Sequence, residues 1–353
     1  MIQGSSVKET YEMMQAKLSD VVPDVELYLK AELVYEINRL KKEKNAVILG
    51  HNYMEPALFH TIPDYVGDSL GLSRRAAETD KDIIIFCGVE FMAETAKILN
   101  PTKTVLVPSD QAGCSLAASI TAQDVRNLKA RFPGVPVVTY VNTYADVKAE
   151  CDICCTSSNA AAVVESLNSD TVIFIPDEYL AKNVAQETGK RIIIPTANTH
   201  TISSDIPIIN DSSADFIGWH GRCEVHELFT VEDINNVRAQ FPDVSILAHP
   251  ECSPEVVAAS DFSGSTTAMI RHVERGNAPH YLLLTECSIG DNISAANPGK
   301  EMLGLCSVRC QYMNQITLED TLNALRYNQY EVTIPEDIRI RAERSVQRMI
   351  AIG

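Results

Sequence analysis

The sequence has no apolar run approaching the roughly 18 uncharged residues needed to cross a bilayer, although apolar residues fill 45% of its 353 positions. It has few basic residues, with 30 lysines and arginines against 47 acidic residues and a formal net charge of −17. Without a broad positive field, we expect no binding to nucleic acid or to an anionic membrane. Residues 1–20 lack the basic start and apolar core of a signal peptide, so we expect a cytoplasmic protein.

The sequence also lacks two opposed Cys-x-x-Cys pairs, so a zinc ribbon is not indicated. Its ten cysteines are not expected to form disulfides in a reducing compartment. Most of them are expected to be small buried hydrophobic residues. A metal site would therefore have to be assembled from distant parts of the chain.

One strand and helix pattern occurs three times along the chain. Each copy starts with a short β-branched apolar run that ends in a polar tip, at 46–53, 137–143 and 245–251. Such runs are typical of buried parallel strands. A segment that begins with aspartate and leads to a serine follows each run, and a second strand follows at 83–88, 171–176 and 281–286. The pattern predicts three homologous three-layer α/β/α units, with short parallel sheets, around a pseudo-threefold axis.

These repeats divide the chain into four segments. We predict an N-terminal helical segment at 1–44 and α/β units at 45–133, 134–242 and 243–353, the last with C-terminal helices. The distance from the serine to the next cysteine of interest is 45 residues in the first and third units and 66 in the second. The second unit thus carries an insertion of 66 − 45 = 21 residues, which we place near 196–215. This polar stretch is typical of a surface loop.

One cysteine in each unit lies seven residues before a threonine that resembles a helix N-cap. The pairs are Cys114 and Thr121, Cys223 and Thr230, and Cys310 and Thr317. The spacing selects Cys310 over Cys306, which lies eleven residues before Thr317. We interpret the other cysteines as structural: Cys87, Cys151, Cys154, Cys155, Cys252 and Cys287.

Three thiolates brought together by threefold symmetry can hold three irons of a [4Fe–4S] cluster. The fourth iron would have no cysteine and could act as a Lewis acid toward substrate oxygens. Catalytic zinc held by three thiolates and water is an alternative. A further alternative is that the cysteines are core residues retained from an old duplication.

The polar strand tips are candidates for a substrate site, because ligands bind beyond the carboxyl ends of parallel strands. They comprise His51, Tyr53, Tyr140, Asn142, His249 and Glu251. Serine-rich helix starts offer amides and hydroxyls to phosphate or carboxylate, at Ser69, Ser157–Ser158 and Ser265–Thr266. Histidines and glutamates that can act as acids and bases near pH 7 are His51, His226, His249, Glu227 and Glu251.

In their order along the chain, these motifs resemble the quinolinate synthase family from about Val34 to Met349. The matching segments are 50–53, 67–70, 88–97, 111–116, 140–143, 156–158, 219–227, 249–251, 264–266 and 310–313. The resemblance implies condensation of iminoaspartate with dihydroxyacetone phosphate to quinolinate, phosphate and two waters. It also implies a [4Fe–4S] cluster with one open iron, and a transient contact with the aspartate-oxidising enzyme that supplies iminoaspartate.

The resemblance also implies roles for single residues. The cluster ligands would be Cys114, Cys223 and Cys310. The catalytic residues would be His51, Tyr53, His226 and Glu251. The substrate-binding residues would be His51, Ser69, Tyr140, Asn142, Ser157, His249, Glu251, Ser265 and Thr266.

Two features depart from the family pattern: the insertion, which compact members lack, and the Cys306-x3-Cys310 spacing, where some relatives have Cys-x2-Cys-x2-Cys. Two other functions are consistent with the pattern of residues. An aconitase-like hydro-lyase would use the same open iron on another acid, and a redox sensor would use the cluster alone. The convergent polar tips favour catalysis over sensing.

Overall fold

The computed structural model describes residues 2–195, 215–304 and 308–353. It begins with two helices that pack against each other, α1 (Val7–Leu18) and α2 (Asp24–Glu43). The Ser6 side chain accepts a hydrogen bond from the amide of Glu9 and starts α1. The buried positions of α2 recur every three or four residues, so one face of this helix lies on the core.

The first sheet has the strand order β2-β1-β3-β4, with all pairs parallel. Its strands and helices are β1 (Ala46–His51), α3 (Pro56–Phe59), β2 (Tyr65–Gly67), α4 (Ser69–Glu78), β3 (Ile83–Cys87), α5 (Glu90–Leu99), β4 (Thr104–Leu106) and α6 (Ala122–Arg131). All six residues of β1 are buried, as expected for a central strand covered on both faces.

The second sheet has the parallel order β6-β5-β7-β9-β8. Its elements are β5 (Val137–Tyr140), α7 (Ala145–Glu150), β6 (Ile153–Cys155), α8 (Ala160–Glu165), β7 (Val172–Ile175), α9 (Glu178–Glu187), β8 (Ile192–Ile193), β9 (Phe216–Gly218) and α10 (Val231–Gln240). The edge strand β8 has no counterpart in the described parts of the other two sheets. The predicted loop at 196–215 lies, apart from its last residue, outside the described residues.

The third sheet has the parallel order β11-β10-β12-β13, which matches that of the first sheet. Its elements are β10 (Val244–Ala248), α11 (Pro254–Ala259), β11 (Phe262–Ser263), α12 (Thr266–Arg275), β12 (His280–Leu284), α13 (Ser288–Ala296) and β13 (Glu301–Leu303). Two C-terminal helices follow, α14 (Leu318–Tyr327) and α15 (Glu336–Ile350). The three parallel sheets among helices confirm the predicted fold class.

An aspartate anchors the central strand of each sheet in the same way. The carboxylate of Asp64 accepts a hydrogen bond from the amide of Ile48 at 2.9 Å, and its own amide donates to the Ile48 carbonyl at 2.8 Å. Asp152 pairs likewise with Val137, and Asp261 with Ile246. These aspartates begin the three segments that the sequence aligned, so the repeat extends to individual hydrogen bonds.

A second repeated feature follows each predicted cluster cysteine. A single turn of 3-10 helix begins three residues after the cysteine, at Ala117–Ser119, His226–Leu228 and Met313–Gln315. The predicted threonine then caps a helix: Thr121 starts α6, Thr230 starts α10 and Thr317 starts α14. The first two form reciprocal capping boxes with the aspartate three residues later. The predicted N-caps are therefore confirmed.

The helix after each cysteine packs against the following unit. α6 contacts α7 of the second sheet, and α10 contacts α11 and β10 of the third. α14 closes the ring, since it contacts α2 and β3. α15 packs on α7, β6 and α5, so the C-terminal helices lie on the first two sheets. The division at residues 44, 133 and 242 stays a prediction.

Candidate active site

A partly open cavity lies where the carboxyl ends of the three sheets meet. Its lining includes the tips of all three first strands: His51, Tyr53, Tyr140, Asn142, His249 and Glu251. It also includes other residues that the sequence indicated: Ser69, Cys114, Ser157, Cys223, His226, Thr266 and Cys310. Ser265 lies beside the lining, because its hydroxyl donates to the lining residue Asp68 at 3.1 Å. Threefold convergence has thus brought the predicted residues together.

The three cysteines Cys114, Cys223 and Cys310 are half-buried and occupy equivalent positions on the cavity wall. Each thiol accepts hydrogen bonds from the backbone amides two and three residues later in the chain. Burial raises the pKa of Cys114 to about 12 and also raises the pKa values of Cys223 and Cys310, and these amides offset only part of the effect. A thiolate at these positions therefore needs a bound cation, and the paired amides would stabilise the sulfur once it is charged.

The spacing of the sulfurs bears on which metal group fits. In the part of the chain that the structure describes, three possible ligand atoms that all lie within 4.8 Å of one another belong to Cys223, His226 and Glu251. The sulfurs of Cys114, Cys223 and Cys310 do not together form such a group among the described residues. A single zinc with Zn–S bonds of about 2.3 Å would hold its sulfurs within about 4 Å. The positions of the three sulfurs are therefore not those of a single-zinc site.

The metal-capable group of Cys223, His226 and Glu251 already has internal partners. His226 Nδ1 lies 2.8 Å from Glu251 Oε2. Its Nε2 lies 2.8 Å from the hydroxyl of Thr285. Because both ring nitrogens of His226 face protein groups, this imidazole is better placed for hydrogen bonding than for ligating a metal.

Glu251 is the acceptor at the centre of the cavity network. Its Oε1 accepts from the Tyr140 hydroxyl at 2.5 Å and from Asn142 Nδ2 at 3.4 Å. Burial alone would raise the pKa of Glu251, but the adjacent His226 and His249 and the Tyr140 hydroxyl hold it below its usual range. The side chain is thus an ionised carboxylate within a buried network of two histidines and a tyrosine.

The two tyrosines of the network remain protonated. Burial and the charge of Glu251 raise the pKa values of Tyr53 and Tyr140 well above 10. The Tyr53 hydroxyl lies 2.5 Å from Thr285 Oγ1 and 3.5 Å from His226 Nε2. Both phenols therefore act at neutral pH through hydrogen bonds rather than as tyrosinates.

His51 and His249 have the same geometry at two different strand tips. In each, Nδ1 accepts a hydrogen bond at 3.3 Å from the backbone amide two residues later, that of Tyr53 or of Glu251. Burial lowers the pKa of His51 to about 4 and that of His249 to about 3. A neutral imidazole that accepts at Nδ1 carries its proton on Nε2. Both histidines therefore offer an N–H donor, and His249 Nε2 lies 3.3 Å from Ser157 Oγ.

The predicted helix starts meet at Asp68. Its Oδ1 caps α4 at the amide of Gly71, while its Oδ2 accepts from the hydroxyls of Ser158 and Ser265, both at 3.1 Å. Ser69 is the first residue of α4 and Ser265 is the N-cap of α12, whereas α8 begins three residues after Ser157. Asp68 thus joins all three units at the edge of the cavity, which it lines.

Four acidic or hydroxyl residues in or beside the site were not predicted as functional from the sequence: Asp68, Asp177, Thr285 and Glu286. Thr285 and Glu286 directly follow β12, and Asp177 lies two residues after β7. Burial raises the pKa of Glu286 to about 7 and that of Asp177 well above its ordinary value. The rule that pointed to the first-strand tips would have found Asp177, Thr285 and Glu286, had it been applied to the second strands.

Glu227, a predicted acid or base, is not among the residues that line the cavity. Cys306 lies outside the described residues. The cysteines interpreted as structural, Cys87, Cys151, Cys154, Cys155, Cys252 and Cys287, are absent from the cavity lining as well. No helix in the described ranges is both long and apolar enough to cross a membrane.

Comparison with known proteins gives a consistent result. The family described as "Quinolinate synthetase A protein" matches residues 35–351. "Quinolinate synthase 2" of Mesorhizobium japonicum is 48% identical over 348 residues, which cover 99% of this chain and 100% of the relative. "Quinolinate synthase" of Sinorhizobium medicae is 50% identical, over 98% of this chain and 89% of the relative. "Quinolinate synthase" of Xylella fastidiosa is 50% identical, over 91% and 86%.

Proposed function

Since the chain belongs to the quinolinate synthase family, we propose that it condenses iminoaspartate with dihydroxyacetone phosphate to quinolinate, phosphate and two waters. The reaction balances without an oxidant: seven carbons and one nitrogen enter the pyridine ring and its carboxylates. The observation that supports this proposal most strongly is that three equivalent cysteines line the same cavity as the polar strand tips of all three units.

The cofactor we propose is a [4Fe–4S] cluster held by Cys114, Cys223 and Cys310, with one open iron. The three thiols that line one cavity and the paired amides behind each sulfur suit this group. When bound, the cluster supplies a Lewis acid for substrate oxygen atoms. The remaining steps rest on the side chains of this chain.

Substrate binding is assigned to neutral donors. The Nε2–H groups of His51 and His249, and the hydroxyls of Ser69, Ser157 and Thr266, surround the cavity and can hold carboxylate or phosphate oxygens. Ser265 would join them once its bond to Asp68 opens. Neutral donors bind an anion by hydrogen bonds but less tightly than a buried cationic residue would. This suits a site that must release phosphate.

Proton transfer is assigned to Glu251, which is the ionised carboxylate of the cavity and accepts from Tyr140 and Asn142. In the condensation, a carboxylate at this position can take a proton from a carbon beside the imine. Glu251 then shares the proton with His226 at 2.8 Å. Tyr53 and Tyr140 hold the reacting groups by hydrogen bonds, since both keep their protons.

We also propose that the protein works in the cytoplasm. The proposed cluster cysteines Cys114, Cys223 and Cys310 form no disulfides, which suits the reducing cytoplasm. Imines hydrolyse in water, so we expect iminoaspartate to be supplied in a transient contact with an aspartate-oxidising enzyme.

The test is quinolinate formation by anaerobically purified protein supplied with iminoaspartate and dihydroxyacetone phosphate, together with iron and sulfide analysis. We expect about four irons and four sulfides per chain, and loss of cluster and product in Cys310→Ala. Cys154→Ala is the matched control, because Cys154 is buried and lies outside the cavity lining. Cluster-replete protein that makes no quinolinate would refute the function, and stoichiometric zinc without iron would refute the cofactor.

A further inference from the structure

Two of the strand tips that line the cavity contain the same tight turn. In each, the amide of the fourth residue donates to the carbonyl of the first, at 3.0 Å in residues 51–54 and at 2.9 Å in residues 249–252. This is the hydrogen bond of a four-residue β-turn. The third residue of the turn is Tyr53 in one tip and Glu251 in the other, and both line the cavity. The turn therefore sets where each of these side chains enters the site.

A buried asparagine from another sheet holds each turn. Nδ2 of Asn292, on α13, donates to the carbonyls of the residues before and after Tyr53, at 3.2 and 2.9 Å. Nδ2 of Asn183, on α9, donates to the carbonyls of the residues before and after Glu251, at 2.8 and 2.9 Å. Because α13 follows a strand of the third sheet and α9 a strand of the second, each turn is held from outside its own sheet.

The two asparagines occupy one position of the threefold repeat. Three residues after the second strand of each unit, a backbone amide donates to the carbonyl two residues before the proposed cluster cysteine. The donor and acceptor pairs are Glu90 and Ala112, Glu178 and Gly221, and Cys287 and Val308. Asn183 and Asn292 lie five residues after their donors, and the first unit has Thr95 there.

The first unit shows what accompanies the loss of the asparagine. Oγ1 of Thr95 donates within α5, to the carbonyl of Phe91 at 2.7 Å. The tip of the second sheet, which the repeat places opposite Thr95, has a different turn, in which the amide of residue 143 donates to the carbonyl of residue 141 at 2.8 Å. The asparagine and the four-residue turn thus occur together.

We propose that Asn183 and Asn292 are positioning residues of the condensation. They hold the turns by the backbone carbonyls on either side of Glu251 and Tyr53, and thereby fix where the carboxylate and the phenol meet the substrates. This inference rests on the proposed function. Geometry fixes the orientation of each amide, because a carbonyl oxygen can only accept and therefore faces the NH2 group.

The asparagines carry a cost that the clamp explains. The amide oxygens of Asn183 and Asn292 have no hydrogen-bond partner among the described residues, and such a buried oxygen reduces stability. The contribution of each side chain therefore lies in its NH2 group. Without that donor, the buried turn would shift to pair its carbonyls elsewhere. Displacement of a catalytic group by about 1 Å can cost about 10²-fold in rate.

The test replaces each asparagine by leucine, which keeps the branched shape and removes the donor. Asn100→Leu is the matched control, because Asn100 is buried and donates to two carbonyls at 2.9 and 3.0 Å but lies outside the cavity lining. We expect kcat for quinolinate formation to fall about tenfold in Asn183→Leu and about fivefold in Asn292→Leu, with KM within about threefold. Asn100→Leu should keep kcat within about twofold. Thermal unfolding and iron content, measured on all three variants, separate a loss of rate from a loss of folded, cluster-replete protein.

Tyr53→Phe distinguishes the two clamps. In this background Asn292→Leu should cause at most about a twofold further loss of kcat, because the hydroxyl that it positions is gone. Asn183→Leu should still cause about tenfold. The inference is overturned if either leucine variant keeps the kcat of Asn100→Leu, or if the losses of Asn292→Leu and Tyr53→Phe multiply. Failure of the proposed function is a separate result, because the unchanged, cluster-replete chain would then make no quinolinate.

Discussion

The strand tips of the first and third units share one backbone geometry and differ in chemistry. In both, a buried histidine accepts a hydrogen bond at Nδ1 from the amide two residues later, over 3.3 Å. The side chain of that second residue is a phenol in Tyr53 and an ionised carboxylate in Glu251. The pKa of Tyr53 lies above its ordinary value and that of Glu251 below. Repetition has preserved the histidine donor, while a single position sets the acid and base character of each tip.

The largest effect is expected from removing the negative charge of Glu251, which distinguishes the third strand tip from the first. Glu251→Gln keeps the shape but loses the carboxylate that accepts from Tyr140 and faces His226. We expect kcat to fall by about 10²–10⁴, the range for loss of a general base. Tyr53→Phe, at the matching position of the first tip, should cost about tenfold. Steady-state quinolinate formation measures both, and equal losses would contradict the distinction.

The shared histidines should make the two tips respond alike to acid. The pKa of His51 is lowered to about 4 and that of His249 to about 3 by burial, against about 6.5 in an unfolded chain. The unfolded state therefore binds more protons below pH 6.5, and the stability contribution of each neutral histidine is lost as the pH falls from about 6.5 to about 4.

Glutamine substitutions test this linkage. Relative to the unchanged chain, His51→Gln and His249→Gln should gain free energy of unfolding as the pH is lowered from 6.5 to 4. For His249→Gln, the free energy of unfolding relative to the unchanged chain should keep rising until the pH reaches about 3. Denaturant titrations at a series of pH values give these differences, and a difference independent of pH would contradict the assignment of neutral histidines.

The first and third units also differ outside the cavity, in how the N-termini of α6 and α14 are capped. Thr121 in the first unit forms a reciprocal capping box, whereas Thr317 in the third accepts from Asp320 without the return bond. We expect Thr121→Ala to reduce the free energy of unfolding by about 1 kcal/mol and Thr317→Ala by somewhat less. Thermal or denaturant unfolding measures both. A larger loss at Thr317 would show that the reciprocal bond does not determine the strength of the cap.

The smallest effect is expected at Asp68. This residue precedes Ser69 in the first unit, and Gly264 holds the equivalent position in the third. The Asp68 carboxylate accepts from Ser158 and Ser265, two hydroxyls that an anionic substrate can use. Asp68→Asn keeps an oxygen for the α4 cap and removes the negative charge, so we expect KM for dihydroxyacetone phosphate to fall about threefold. Glu78→Gln on exposed α4 surface is the control and should leave KM unchanged. An increased KM for Asp68→Asn would indicate that Asp68 itself helps to bind substrate.

Much of the site could be predicted from the chain because the repeat is regular. The seven-residue spacing identified three cysteines and three N-caps, and the strand tips identified His51, Tyr53, Tyr140 and Glu251. Thr285 and Asp68 were not identified. Thr285 ends a second strand, where the strand-end rule could have found it, but its partner His226 and the partner Ser265 of Asp68 lie far away in the chain, and no local pattern encodes such pairs.

The parallel strands, the helix caps, the threefold repeat and the residues at the strand ends could all be predicted from the amino-acid sequence. These features follow from short-range preferences: β-branched runs, threonine caps and fixed spacings. Which units each helix joins depends on the folded chain, in which α14 packs against α2 and β3. The tertiary structure also decided the protonation of the site, because burial and neighbouring charges set whether Glu251 is ionised and whether His51 and His249 are neutral. The physical reason is that desolvation and hydrogen-bond direction depend on the whole fold, whereas strand and cap signals depend on a few adjacent residues.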